Sequence, residues 1–178
     1  MLVVPTAWYD EHDVSRIEGI AADRIDRTAH EVHLEDGRDL PYDALIIATG
    51  AKPRRLDIPG KELALTLRYL EDSDALKAAY ADASTVVIIG GGWIGLETAA
   101  AARAAGAETV VLERESLPLH HVLGDELAEY FADLHRRNGV DVRTAVSVDS
   151  ISGAGPFFVH TDGGDIEAGV VVLGVAGS

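Results

Sequence analysis

The stretch VVIIGGGWIGLETAA, residues 86–100, constrains the fold more than any other part of the chain. Four branched apolar residues in a row are the mark of a strand buried on both faces. Three consecutive glycines follow, then a tryptophan, an isoleucine, a fourth glycine and an alanine-rich helical stretch. Gly90-x-Gly92-x-x-Gly95 therefore lies between a strand over residues 85–89 and a helix expected from about Trp93 to Ala105, with Gly106 as its stop. The triplet alone is common, but between a strand and a helix it has a physical purpose. Gly90 permits the tight turn, Gly92 lets the backbone approach a pyrophosphate, and Gly95 allows helix and strand to pack closely. The helix start then offers free N–H groups and the positive end of its dipole to phosphate oxygens.

Glu113 adds to this reading. It ends the next apolar strand, 18 residues after Gly95. A carboxylate there can accept hydrogen bonds from an adenosine ribose and repel a 2′-phosphate. NAD(H) is therefore expected over NADP(H), a preference that the adjacent Arg114 weakens slightly. The plain alternative is a tight turn beside a solvated strand end. It requires strand, triplet, helix and carboxylate to fall in register by chance. Glu97, two residues past Gly95, has two open readings. It is a carboxylate stabilised by the helix N-terminus, or a polar group facing the nicotinamide end of a ligand.

The rest of the chain supplies context. Residues 1–20 suggest a short helix and an extended piece. Alternation at Glu31-Val32-His33-Leu34, followed by Asp36-Gly37, predicts a hairpin. The apolar run at residues 45–48 predicts a second doubly buried strand, ending at Thr49-Gly50. AKPRRLDIPGKE is punctuation between units, and Asp72 or Ser73 is a candidate cap for a helix to about Tyr80. After the glycines come a strand at TVVLER and a helix over residues 124–139, with Leu127, Phe131 and Leu134 on one face. A strand over residues 140–151, a hairpin around Asp162-Gly163-Gly164 and a last strand at VVVLGV complete the chain. Alternating strands and helices imply an α/β fold: a doubly wound, Rossmann-like parallel sheet carrying a β-hairpin or meander.

Composition excludes several functions. The net charge of −15, with no Lys/Arg run longer than two residues, argues against nucleic acid. Zero cysteines removes disulfides, thiolate metal sites and Cys-pair redox chemistry from this stretch. No apolar run reaches the roughly 18 residues of a membrane span. The start, MLVVPTAWYDEHD, lacks a basic region and a long apolar core, so a cytoplasmic protein is expected. His120-His121 and the five scattered histidines show no metal-ligand spacing, and surface or capping roles are expected of them.

With these features in place, the chain resembles the FAD-dependent pyridine nucleotide-disulfide oxidoreductase superfamily. It is most similar to the ferredoxin/rubredoxin reductase branch. The resemblance rests on LEDGRDLPYDALIIATGAKPRRLDIPG, LRYLEDSDAL, VVIIGGGWIGLETAA, VVLERESLPLHHVLGDELAEYFADLHRRNGVDVR and VVVLGV, which cover almost the whole chain in the family's order. It implies that Gly90, Gly92, Gly95 and Glu113 hold the NADH pyrophosphate and adenine ribose. It also implies that Ile94 and Glu97 border the nicotinamide near the flavin, and that Gly174 lines the carboxamide. Ala22, Thr49, Gly50, Arg54 and Arg68 fall at positions that contact FAD. The implied reaction is hydride transfer from NADH to FAD, then single electrons to a small iron–sulfur protein. The absence of cysteine matches this branch.

Family members open with a first strand and a G-x-G-x-x-G for FAD, and continue past the last strand into a second FAD segment and an interface domain. The chain corresponds to the middle. The expected division is residues 1–55 as part of an FAD domain, residues 56–84 as linker and helix, and residues 85–178 as an NAD(H) domain. Such a stretch is expected to retain mainly NADH binding. Ala176, Leu117 and His121 replace residues common in the family, a glycine and two arginines. A stand-alone NAD(H)-binding module without turnover is the competing expectation.

Overall fold

A computed structural model describes residues 4–50 and 56–175. The chain divides into two compact units between Thr49 and Gly50. The first unit begins with helix α1 (Thr6–Glu11). It continues as an antiparallel meander, β1 (Ala22–Asp26), β2 (Glu31–Leu34) and β3 (Asp39–Pro41), in that order. The β2–β3 turn is the expected Asp36-Gly37 turn, with the Gly37 N–H donating to the Leu34 carbonyl at 3.0 Å. At the β1–β2 turn the Asp26 carboxylate accepts the Thr28 and Ala29 N–H groups, both at 2.9 Å. Those two bonds favour the charged form and hold its carboxyl below the usual range. Among the described residues of this unit, Leu34 is the one buried apolar side chain. The buried strand expected at residues 45–48 does not form. The segment has no regular structure, and Ile46 and Ile47 are 90% and 65% exposed.

The second unit is a five-stranded parallel sheet. It comprises β4 (Leu65–Thr66), β5 (Thr85–Ile89), β6 (Glu108–Leu112), β7 (Val140–Arg143) and β11 (Val170–Leu173), in the order β4-β11-β5-β6-β7. Helices α2 (Leu70–Asp82), α3 (Trp93–Ala104) and α4 (His120–Arg137) belong to the same unit. Val86, Ile88, Val111 and Val172 pack against Leu76 and Tyr80 of α2 and Leu96, Ala99 and Ala102 of α3. Their sheet neighbours Val87, Val110, Leu112 and Val171 point the other way. There they meet Ile151, Val159 and Ala168 of an antiparallel meander. This second layer is β8 (Val148–Gly153), β9 (Phe157–Thr161) and β10 (Gly164–Ala168). Apolar cover on both faces is why β5 and β11 read as unbroken apolar runs.

Several boundaries differ from expectation, each for a local reason. Helix α2 begins at Leu70, ahead of the expected caps. Asp72 acts from inside the first turn, accepting the Arg68 and Tyr69 N–H groups at 2.8 and 3.0 Å. Helix α4 starts at His120 and bends at Gly124, whose φ of 72° lies outside the helical region. The bend places the small Ala128 and Ala132 against the core and leaves Leu127 exposed, against the expected Leu127 face. The single strand expected over residues 140–151 is two, because Ala145 turns the chain with φ 55° between β7 and β8. Among the described residues the Tyr80 hydroxyl is one of five buried side-chain atoms without a hydrogen-bond partner, and burial pushes its pKa up to about 12.

Candidate functional site

The parallel strands establish the site. From β5 the chain moves outward to β6 and β7, and β11 then returns to the opposite side of β5. The strand order reverses between β5 and β11, so their C-terminal ends flank the crevice where open α/β sheets take ligands. Gly90 follows β5 and Gly174 follows β11. The ladder runs on into both, with Gly90 N–H to the Leu112 carbonyl at 2.8 Å and Gly174 N–H to the Ile89 carbonyl at 2.9 Å.

Three glycines are forced by contact. A Cβ on Gly95 would overlap the Gly90 carbonyl oxygen, and a Cβ on Gly174 would lie 2.5 Å from the Gly95 Cα. A Cβ on Gly90, where φ is 106°, would approach the Gly174 carbonyl carbon to 3.1 Å. Gly92 is different. A Cβ there would meet only the Gly174 carbonyl oxygen, at 3.5 Å. The fold leaves room at Gly92, so the space over it is open to something other than the protein. Gly92 is the N-cap of α3 and makes no side-chain cap, and the first helical turn has no acidic residue. The first N–H groups of α3 therefore have no partner within the helix, and they are suited to phosphate oxygens.

Glu113 closes the loop from the β6 side. Its carboxylate accepts the Gly91 N–H at 2.7 Å and the Glu115 N–H at 2.9 Å. The segment behind it is held by the Ala145 and Val146 N–H groups, which donate to the Glu115 and Glu113 carbonyls at 2.9 and 3.0 Å. Sequence reasoning passed over Gly91, a variable position of the motif. A Cβ there would lie 2.9 Å from Pro118 Cβ and 3.0 Å from the Glu113 carboxylate. The middle glycine of the Gly90-Gly91-Gly92 run was its signal. Arg114 beside it is exposed, with its guanidinium 3.6 Å from Glu115.

Ile94 is half-buried and Glu97 exposed. Glu97 lies in the second turn of α3, past the free N–H groups of the first. Of the positions assigned to FAD, Ala22 begins β1 opposite Leu34. Thr49 and Gly50 are exposed and outside any strand. Within the second unit, a Cβ on Gly50 would lie 2.8 Å from the exposed Arg68 guanidinium, so these two positions come together. Arg54 and Ala176 lie outside the described residues. The paired histidines bind side chains nearby, His120 to Asp125 at 2.7 Å and His121 to Glu115 at 3.8 Å.

A parallel sheet with a glycine turn at its switch point and helices packed on it defines a Rossmann-like α/β protein. Comparison with known proteins then names the family: the chain belongs to the pyridine nucleotide-disulphide oxidoreductases, whose profile matches residues 8–177. It is 38% identical over 176 residues to rhodocoxin reductase of Rhodococcus erythropolis, spanning 96% of this chain and 41% of that protein. It is 37% identical over 169 residues to the ferredoxin–NAD(+) reductase component of the p-cumate 2,3-dioxygenase system of Pseudomonas putida, spanning 94% and 42%. Its fold superposes with a TM-score of 0.89 on a ferredoxin reductase of Rhodopseudomonas palustris, at 32% identity over 99% of this chain and 45% of that one. The chain spans less than half the length of each of these relatives. Among the described residues, no helix is long and apolar enough to cross a membrane.

Proposed function

We propose that the second unit is the NAD(H)-binding domain of an FAD-dependent, NADH-oxidising reductase, and that the first unit is part of its FAD domain. The observation that carries this reading is the open Gly92 at the strand-order reversal, next in the chain to Gly91, whose N–H the Glu113 carboxylate accepts. Gly92 and the α3 start receive the pyrophosphate. Glu113 receives the adenine ribose, and its fixed negative charge turns away a 2′-phosphate. Ile94 and Gly174 bound the nicotinamide end, with Glu97 at the rim. Arg68 and Gly50, with Ala22, Thr49 and Arg54, are positions for FAD. Bound FAD supplies the exchange between two-electron hydride chemistry and one-electron transfer. The names of the relatives, ferredoxin–NAD(+) reductase component among them, support a small iron–sulfur carrier as acceptor.

Calorimetric titration of the chain with NADH, NADPH and FAD tests this reading. NADH is expected to bind more tightly than NADPH. Gly92→Val should abolish NADH binding with an unchanged circular dichroism spectrum, and undiminished affinity in that variant would remove the glycine loop from the site. Glu113→Ala should lower the NADH-over-NADPH ratio by about 10- to 100-fold, the range of a hydrogen bond to a charged group. An unchanged ratio takes Glu113 out of the ribose site. The second reading, an NAD(H)-binding module without turnover, is favoured by the exposed run at residues 45–48. NADH binding with no flavin band would support it.

A further inference from the structure

The outer face of the β8–β9–β10 meander carries a chain of three polar side chains that the dinucleotide reading does not use. Alternation along the strands turns Ile151 and Val159 into the core and leaves Ser152, His160 and Asp165 on the opposite face. His160 pairs with Asp165 across β9–β10 and with Ser150 across β8–β9, and Ser152 lies two residues further along β8 on the same face. His160 Nδ1 is 2.8 Å from Asp165 Oδ1, and His160 Nε2 is 2.8 Å from Ser152 Oγ.

These contacts suit one tautomer of the neutral ring. An ionised carboxylate only accepts, so Nδ1 of the imidazole carries the hydrogen and donates it to Asp165. In the neutral ring Nε2 then holds a lone pair, and Ser152 donates its hydroxyl hydrogen to it. Nucleophile, base and orienting carboxylate are thus linked in the order found in acyl-transfer enzymes on unrelated folds. Ser152 is exposed and the His160 side chain is about one-third exposed, so a reagent can reach the hydroxyl.

We propose that Ser152 is an activated acyl-acceptor site, taking an acyl group from activated esters. In the step, Ser152 Oγ forms a bond to the ester carbonyl carbon while its proton passes to His160 Nε2. The carbon–oxygen bond to the leaving group then breaks, the leaving alkoxide takes the proton from His160, and Asp165 holds the ring throughout. The product is an ester on Ser152, and water attacks it by the same route in reverse. The acceptor is an open sheet face, so the substrate class is small activated acyl esters rather than a shape-selected molecule.

Treatment of the full chain with p-nitrophenyl acetate, followed by peptide mass spectrometry over time, tests the proposal. Ser150 is an internal control: it stands directly across from His160 in the β8–β9 register yet makes no hydrogen bond to an imidazole among the described residues. Ser152 is expected to acquire the acetyl group faster than Ser150, and His160→Gln should slow Ser152 acetylation by about 10²-fold, the usual scale of a general base. Asp165→Asn should slow it as well, with the fold monitored by circular dichroism. Acetylation of Ser152 at the rate of Ser150, or a rate indifferent to His160→Gln, overturns the assignment.

Discussion

Two stretches of four apolar residues in this chain have opposite fates. LIIA at residues 45–48 and VVII at residues 86–89 carry the same hydrophobic signal. In the second, Val86, Val87 and Ile88 are wholly buried; in the first, Ile46 is 90% exposed. Side-chain character does not separate them, but backbone partners do. Strand β5 pairs residue for residue with β11 on one side and β6 on the other, which satisfies its N–H and C=O groups before any side chain is counted. Among the described residues no strand pairs with residues 45–48. An apolar run becomes a buried strand only where flanking strands accept its backbone.

Charge insertion applies the strongest test to that difference. Val172→Asp, in fully buried β11, should unfold the second unit at a cost above about 4 kcal/mol, since it strands an unpaired charge. Ile47→Asp should change stability by less than about 0.5 kcal/mol. Urea melts of both variants decide, and a comparable loss from Ile47→Asp would break the comparison. Truncation sharpens it on a smaller scale. Ile88→Ala should cost about 2–5 kcal/mol and Ile46→Ala under about 0.5 kcal/mol. Amide exchange should find residues 86–89 protected and residues 45–48 open.

Acid titration gives the smallest effect and separates the units by pH. Burial lowers the His135 pKa in the last turn of α4, because charging the ring there costs solvation. As pH falls through about 6.5 the unfolded chain takes the proton first. The second unit therefore loses stability from that point down to the lowered folded value, and then levels off. His135→Gln should flatten that slope in urea melts between about pH 7.5 and 5.5. In the first unit the carboxyl of Asp26 is lowered by the Ala29 and Thr28 N–H groups. Its contribution is present above the unfolded carboxyl value and disappears as pH falls below about 4.

The same contrast explains what could be read from the residues. Strand, glycine turn and helix over residues 85–104 were legible nearly to the residue, because one local motif encodes turn, cap and packing together. The hairpin at Asp36-Gly37 was legible for the same reason. Residues 45–48 misled because their fate depends on pairing, which no local pattern carries. The break between β7 and β8 was hidden because Ala145, with φ 55°, has no composition cue for a left-handed turn. Leu127 misled because the bend at Gly124 rotates the face that α4 presents. At the site, the open position of Gly92 was anticipated from the motif. The contact between Glu113 and the Gly91 N–H was not, since it depends on how closely the β6 end approaches the loop.

The mutual contact of Gly90, Gly95 and Gly174 has a consequence for how this domain can evolve. In each pair the obstructing atoms belong to backbone, so no neighbouring side chain can shrink to make room. A library that randomised any one of the three positions would return glycine, and randomising them together would not rescue the others. The three behave as a single heritable locus scattered over 85 residues of chain, from Gly90 to Gly174. Variation that leaves the fold intact must instead run through positions such as Gly92, where a Cβ would meet only the Gly174 carbonyl oxygen at 3.5 Å.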